Sequence, residues 1–193
     1  MVRKNKQVLA DVLAQEPAIR LYGPVDDSFF ARFLEQLKPL RGQQQPLIFE
    51  LHTSGGDADV ARRIAEEIRL CREVGGMDLH FVGKAMVYSA GVMIMAAFPV
   101  ARRFLSRDTV MLVHAWQIEK ELRFSGTLEV CAASANDFLA ELDVARRLER
   151  QTFTDLVEGS RLSYEQLSAK VSRTDWYVMA DEAQKLALVS GLI

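Results

Sequence analysis

A serine, a histidine and a pair of glycines in this chain have the types and the spacing that acyl transfer would need. Ser89 follows a strand-like segment and opens a wholly apolar run at residues 90–98. That run is too short to cross a bilayer and reads as a helix buried in a core. A serine in that position has two uses. Its hydroxyl can cap the first free N–H groups of the helix. It can also attack a carbonyl carbon, provided a base takes its proton and a further group orients that base. His114, closing a later strand-like segment, is the best-placed base, although a strand-end histidine can equally be satisfied by backbone. His80 alternates within a strand and suits a packed or surface position. His52 precedes the glycine turn and suits either the site or a backbone-holding role. Gly55 and Gly56 would offer N–H groups to an oxyanion with no side chain in the way, or simply make a tight turn. The Ala90 amide, at the positive end of the apolar helix, is a further donor.

These groups need a frame. Residues 19–22 alternate like a strand and stop at Gly23-Pro24. Asp26, Asp27 and Ser28 offer caps for a helix with Phe29, Phe30, Phe33, Leu34 and Leu37 on one face. Residues 47–51 form a mostly apolar strand that runs into the small-residue turn at 52–56. Asp57 begins a helix carried by Val60, Ala61, Ile64, Ala65, Ile68 and Cys71, and Gly75-Gly76 ends it. Strands follow at 79–82, 101–105 and 109–113, with Ser89 past the first and His114 past the last. Residues 115–126 are polar and irregular, and one long helical pattern then covers 127–157. Ser163 and Gln166 make a capping box, followed by a strand at 176–179 and a helix at 181–188. Alternating strands and helices predict an α/β domain with mainly parallel strands and right-handed crossovers. In such sheets sites form at the C-terminal ends of strands, where the glycine turn, Ser89 and His114 all fall.

Bulk properties narrow the field. The chain has 193 residues, 49% hydrophobic and 26% charged, which fits one domain with a real core. A net charge of −2 gives no reason to expect a nucleic-acid or membrane partner. The two cysteines, Cys71 and Cys131, lie far apart among small or apolar residues and read as buried free thiols. With three scattered histidines they give no zinc spacing, so no metal site is expected. Residues 1–17 read as a short amphipathic helix or an arm, without an apolar run long enough for a signal peptide. A cytoplasmic location is the expectation. The G-x-S-x-G elbow of α/β-hydrolases is absent, because Val87 stands at its first glycine. Asp175 follows His114, an order that also disfavours that fold.

Five blocks make a sharper likeness. IRLYGPVDD at 19–27, LHTSGG at 51–56, VYSAGVMIMAA at 87–97, RDTVMLVHAW at 107–116 and TDWYVMADEAQKLALVSGLI at 174–193 resemble, in order, the defining segments of the Clp protease family, ClpP, within the wider ClpP/crotonase superfamily. The second block has Ser54 where the family has proline and His52 where it has asparagine. The resemblance covers residues 19–193. It implies a ClpP/crotonase-like fold: a mainly parallel sheet with βαβ crossovers and a protruding "handle" helix, within a handle region at about 115–160. Residues 1–18 would be an N-terminal arm. It also implies Ser89 as nucleophile, His114 as general base, Asp175 as the acid that orients it, and the Gly56 and Ala90 amides as oxyanion donors. Gly55 and Gly126 would bind substrate. The family's glycine-rich substrate-pairing strand is poorly matched at 115–125, where only the following Gly126 remains.

The expected activity is therefore that of a serine endopeptidase acting on unfolded polypeptides or short peptides inside stacked homo-oligomeric rings. An AAA+ unfoldase is a possible partner, and no cofactor is needed for the bond cleavage. Two other readings share the fold. A crotonase-type acyl-CoA enzyme would need the paired amides but no Ser–His–Asp set. A non-catalytic ring subunit would carry the three residues out of alignment.

Overall fold

The computed structural model describes residues 16–193. The arm expected at 1–18 lies almost wholly outside the described residues. Strand β1 (Ile19–Tyr22) leads to helix α1 (Asp27–Leu37), which Asp26 caps by accepting the Phe29 amide at 2.8 Å. Strand β2 (Leu47–Thr53) and helix α2 (Ala58–Glu73) follow, with Asp57 capping α2 through its side chain. Strand β3 (Leu79–Tyr88) runs into helix α3 (Ala90–Ala96), whose seven residues are all buried. Then come β4 (Arg103–Leu105), β5 (Val110–Val113), the long helix α4 (Leu128–Val157), α5 (Tyr164–Val171), β6 (Trp176–Met179), α6 (Ala180–Lys185) and β7 (Gly191–Leu192). The predicted capping box at Ser163 and Gln166 is present at the start of α5.

The sheet runs β1-β2-β3-β4-β7, all parallel. β5 also pairs with β3 in parallel, and β6 with β5 antiparallel. β3 is longer than the sequence suggested, because it continues past Gly83 instead of ending at Val82. Its edge is used twice. Phe81–Gly83 pairs with β4, and Met86–Tyr88 pairs with β5. Ala85, at φ 56°, lies between the two stretches, and the β2–β3 register shifts between Leu51 and Thr53. This swing carries the end of β3 from β4 to β5. Ser89, the next residue, donates its amide to the Leu112 carbonyl at 2.8 Å, two residues before His114.

A continuous apolar core fills the space between the sheet and α1–α3; it includes Phe29, and Phe33, Phe49, Phe81 and Phe98 are in ring contact within it. Arg103, 1% exposed, lies inside it. Its guanidinium donates to the carbonyls of Ala96 at the end of α3 and Phe98 just past it, of Asp155 and Leu156 in the last turn of α4, and of Leu188. Burial pushes its pKa down to about 10, so the cation persists at neutral pH. Losing it would leave those buried carbonyls unpaired, at a cost of about 3 kcal/mol or more.

α4 behaves differently. Thr127 caps it, and at 1.5 Å per residue its 30 residues reach about 45 Å. Only Phe153, Leu156 and Val157 are buried. Phe138, Leu142, Ala145 and Leu148 are half-buried, whereas Leu128, Val130, Leu139 and Val144 are exposed. Cys71 is buried as expected, whereas Cys131, on α4, is only partly covered; both thiols are free.

Candidate active site

Ser89 does not cap its helix. Its side chain makes no hydrogen bond to the first turn of α3, although a cap is the commonest use of a serine there. Its Oγ instead lies 2.8 Å from Nε2 of His114. The backbone at Ser89 has φ 52° and ψ −111°, a region L-residues rarely occupy. Two elements hold it there: β3, tied to Leu112 through the Ser89 amide, and α3, packed wholly inside the core.

The tautomer of His114 follows from its second contact. Nδ1 lies 2.7 Å from the carbonyl oxygen of Ala115. A carbonyl only accepts, so Nδ1 carries the proton and Nε2 is left bare to receive the hydroxyl of Ser89. That is the form a general base requires. Ser89 and His114 are both half-buried, at the edge of a cleft of about 170 Å3 lined by Gly56, Ala58, Val92, Met93, Val113, Trp116 and Gln117. No charged side chain is among these. Two wider grooves, of about 690 and 930 Å3, run along α2 and α4 and around the base of α4. They are lined by arginines and carboxylates and contain no nucleophile–base pair.

The glycine turn is built against Ser89. Thr53 Oγ1 donates to the Gly23 carbonyl at 2.7 Å and accepts the Gly55 amide at 3.0 Å. At Gly55 (φ +97°), a Cβ would stand 2.9 Å from Cβ of Ser89. At Gly56 (φ +147°), it would stand 2.3 Å from the Val25 carbonyl oxygen, against the segment that joins β1 to α1. The amides of Gly55 and Asp57 are spent on Thr53 and Val25. That of Gly56 has no partner among the described residues. The Ala90 amide, first in α3, has none within the helix ladder.

The remaining expected residues fall elsewhere. Asp175 immediately precedes Trp176, which pairs with Val113, so its backbone stands one position beyond the registered end of β5 and β6. Its side chain nevertheless faces solvent and bonds to no described residue. The contact on Nδ1 of His114 is Ala115 and not Asp175. Gly126 does not line the cleft; its φ of +129° serves the turn that enters α4. His52 holds the Lys84 carbonyl with Nδ1 at 3.1 Å. His80 is buried beside Arg102 and Asp78, and burial lowers its pKa, the Arg102 cation adding to the effect.

Sequence reasoning missed Trp116 and the residue that holds it. Trp116 came from a segment with no periodicity, and its amide donates to Oε1 of Glu149 on α4 at 2.7 Å. Nothing in the spacing of a charged helix face points to that contact. No cluster of three or more metal-ligating side chains occurs among the described residues, and none of their helices is long and apolar enough to cross a membrane.

A model of the Clp protease family matches residues 3–193. Among solved structures, a ClpP1 mutant from Listeria monocytogenes superposes with a TM-score of 0.69 at 22% identity, over 91% of this chain and 90% of that one. At that identity the likeness is one of fold. No curated protein matches the sequence.

Proposed function

The chain belongs to the Clp protease family, and from that membership and the Ser89–His114 pair we propose that it is a serine endopeptidase acting on unfolded polypeptides or short peptides. The observation that carries this is the diverted hydroxyl of Ser89. It leaves a helix start uncapped, sits on a strained backbone, and meets the bare nitrogen of a correctly protonated histidine.

The chemistry follows from those positions. Oγ of Ser89 bonds to the peptide carbonyl carbon as its proton passes to Nε2 of His114. The oxyanion that forms is assigned to the amides of Gly56 and Ala90, two donors not spent among the described residues. Collapse breaks the C–N bond, the amine leaves with the proton from Nε2, and water repeats the sequence to release the acid. No cofactor enters these steps. Asp175 holds the family's acid position in this proposal, but it can reach Nδ1 only if the Ala115 carbonyl gives that nitrogen up.

Assembly is part of the same proposal. The exposed Leu128 and Leu139 stand about three turns apart on one face of α4, and packing that face against the same helix of another copy would bury them. Stacked rings enclosing the sites would result, with an AAA+ unfoldase as the candidate feeder. The deciding experiment is labelling with a fluorophosphonate, read against Ser89→Ala. A wild-type chain that labels and hydrolyses a fluorogenic peptide, with both lost in the variant, supports a peptidase. A folded, assembled wild type that does neither is a non-catalytic ring subunit.

A further inference from the structure

We propose that Glu149 supports the base His114 through the peptide group joining Ala115 to Trp116, so that this helix carboxylate acts as a remote orienting acid. The inference rests on the serine-peptidase reading of Ser89 and His114. Its basis is that two contacts fall on one peptide unit. Nδ1 of His114 donates to the Ala115 carbonyl at 2.7 Å, and the Trp116 amide donates to Oε1 of Glu149 at 2.7 Å. That peptide is trans, so its C=O and N–H point in opposite directions. Imidazole, peptide and carboxylate therefore form one chain of hydrogen bonds running the same way.

Such a chain is cooperative. The carboxylate draws on the Trp116 N–H, which makes the Ala115 oxygen a stronger acceptor for the imidazole proton. When Nε2 takes the proton of Ser89, the positive charge on the ring faces a carbonyl dipole backed by a full negative charge. Glu149 forms no ion pair with a described lysine or arginine. Among the described residues no charged side chain lines the cleft to compete with it, and the one other polar group bonded to the ring is the Ser89 hydroxyl. Glu149 touches neither substrate nor reacting atoms, so it is a positioning residue. It also ties the strand end that carries His114 to α4, 33 residues further on from Trp116.

The test uses the full, assembled chain as wild type, Glu149→Gln and Glu149→Ala, with a fluorogenic peptide and with 13C-labelled histidine followed by NMR. Glu149→Ala is expected to lower kcat about 10- to 100-fold with little change in KM, short of the roughly 10⁴-fold cost of removing an acid bonded directly to the imidazole. Glu149→Gln keeps an acceptor for Trp116 and should fall between the two. In both variants the acid limb of kcat/KM and the NMR titration midpoint of His114 should move to lower pH, since a nearby negative charge is gone. A merely structural tie would be rescued fully by glutamine and would leave both midpoints in place, and that result overturns the proposal. So does a kcat within threefold of wild type in Glu149→Ala. The NMR midpoint reads the coupling even in a chain that hydrolyses nothing, so failure of the peptidase reading is seen separately, as a wild type that a fluorophosphonate does not label.

Discussion

Oγ of Ser89 stands 2.8 Å from Nε2 of His114, and the helix that Ser89 heads goes uncapped as a result. Fold stability alone would favour the cap, typically by about 1 kcal/mol. Ser89→Ala should therefore leave the fold and the particle mass unchanged while abolishing peptide hydrolysis and probe labelling. His114→Ala should lose nearly as much, because such groups act as a unit. Peptide turnover above about a tenth of wild type in Ser89→Ala would end the serine-nucleophile proposal.

Asp175 offers a sharper question. Its carboxylate is exposed and unbonded, while Nδ1 of His114 is satisfied by Ala115. The resting geometry predicts that Asp175→Asn lowers kcat by less than about tenfold, against the roughly 10⁴-fold that a directly orienting carboxylate is worth. Steady-state kinetics on a short peptide decides it. A loss near the larger figure means that the side chain turns in to His114 during turnover.

The two glycines of the turn should fail differently. Gly55→Ala places a methyl 2.9 Å from Cβ of Ser89, on a backbone at φ +97° that disfavours a side chain. It should displace the nucleophile and lower kcat by at least about tenfold in a folded protein. Gly56→Ala collides with the backbone of Val25 at 2.3 Å, so it should cost stability, on the order of 1–3 kcal/mol, as well as activity. From the sequence, a methyl on Gly56 looks like an obstruction to substrate; in the fold it obstructs the backbone of Val25, between β1 and α1. Denaturant midpoints for the two variants separate strain from lost chemistry.

Some of this was legible in the chain and some was not. Ser89, His114 and the Gly55-Gly56 turn could be found because each follows a strand, and strand ends are where α/β sheets gather their sites. Asp57 and Ser163 announced their helices because capping is local chemistry. β3 beyond Val82 was hidden, since Gly83, Lys84 and Ala85 break the alternation that marks a strand. The pairing of Trp116 with Glu149 had no local signal, because it is made across 33 residues between an irregular segment and a charged helix face. The exposure of Asp175 was likewise beyond reach: position in the chain fixes where its backbone lies, and packing decides where its carboxylate turns.

Stability should fall in mild acid because of His80. Burial, and secondarily Arg102 at 2.8 Å, lowers its pKa below the ordinary 6.5, while Asp78 partly opposes this. Between the folded and unfolded values the unfolded chain binds more protons, so stability rises with pH across that window and is lost as pH falls below about 6.5. His80→Gln should flatten the dependence just below about pH 6.5 in urea titrations. An unchanged slope would show that another group sets it.

Assembly can be tested on α4. Phe138 lies under the ammonium of Lys120, at 5.4 Å, and is partly covered within its own chain. Leu139, 57% exposed, is the cleaner probe. Leu139→Glu should leave the protomer folded and reduce the particle to smaller species by light scattering, because a desolvated charge at an interface typically costs several kcal/mol. A full-size particle would show that the copies meet elsewhere.

The guanidinium of Arg103 has a dynamic consequence. It joins the carbonyls that close α3 to those in the last turn of α4, so neither helix end can fray without stranding a buried cation. Loosening there is all-or-none. Amides around Ala97 and Val157 should exchange with solvent only through global unfolding, as slowly as the central strands, while those near Leu128 exchange freely. A firmly locked joint thus stands at the root of a helix whose tip is exposed.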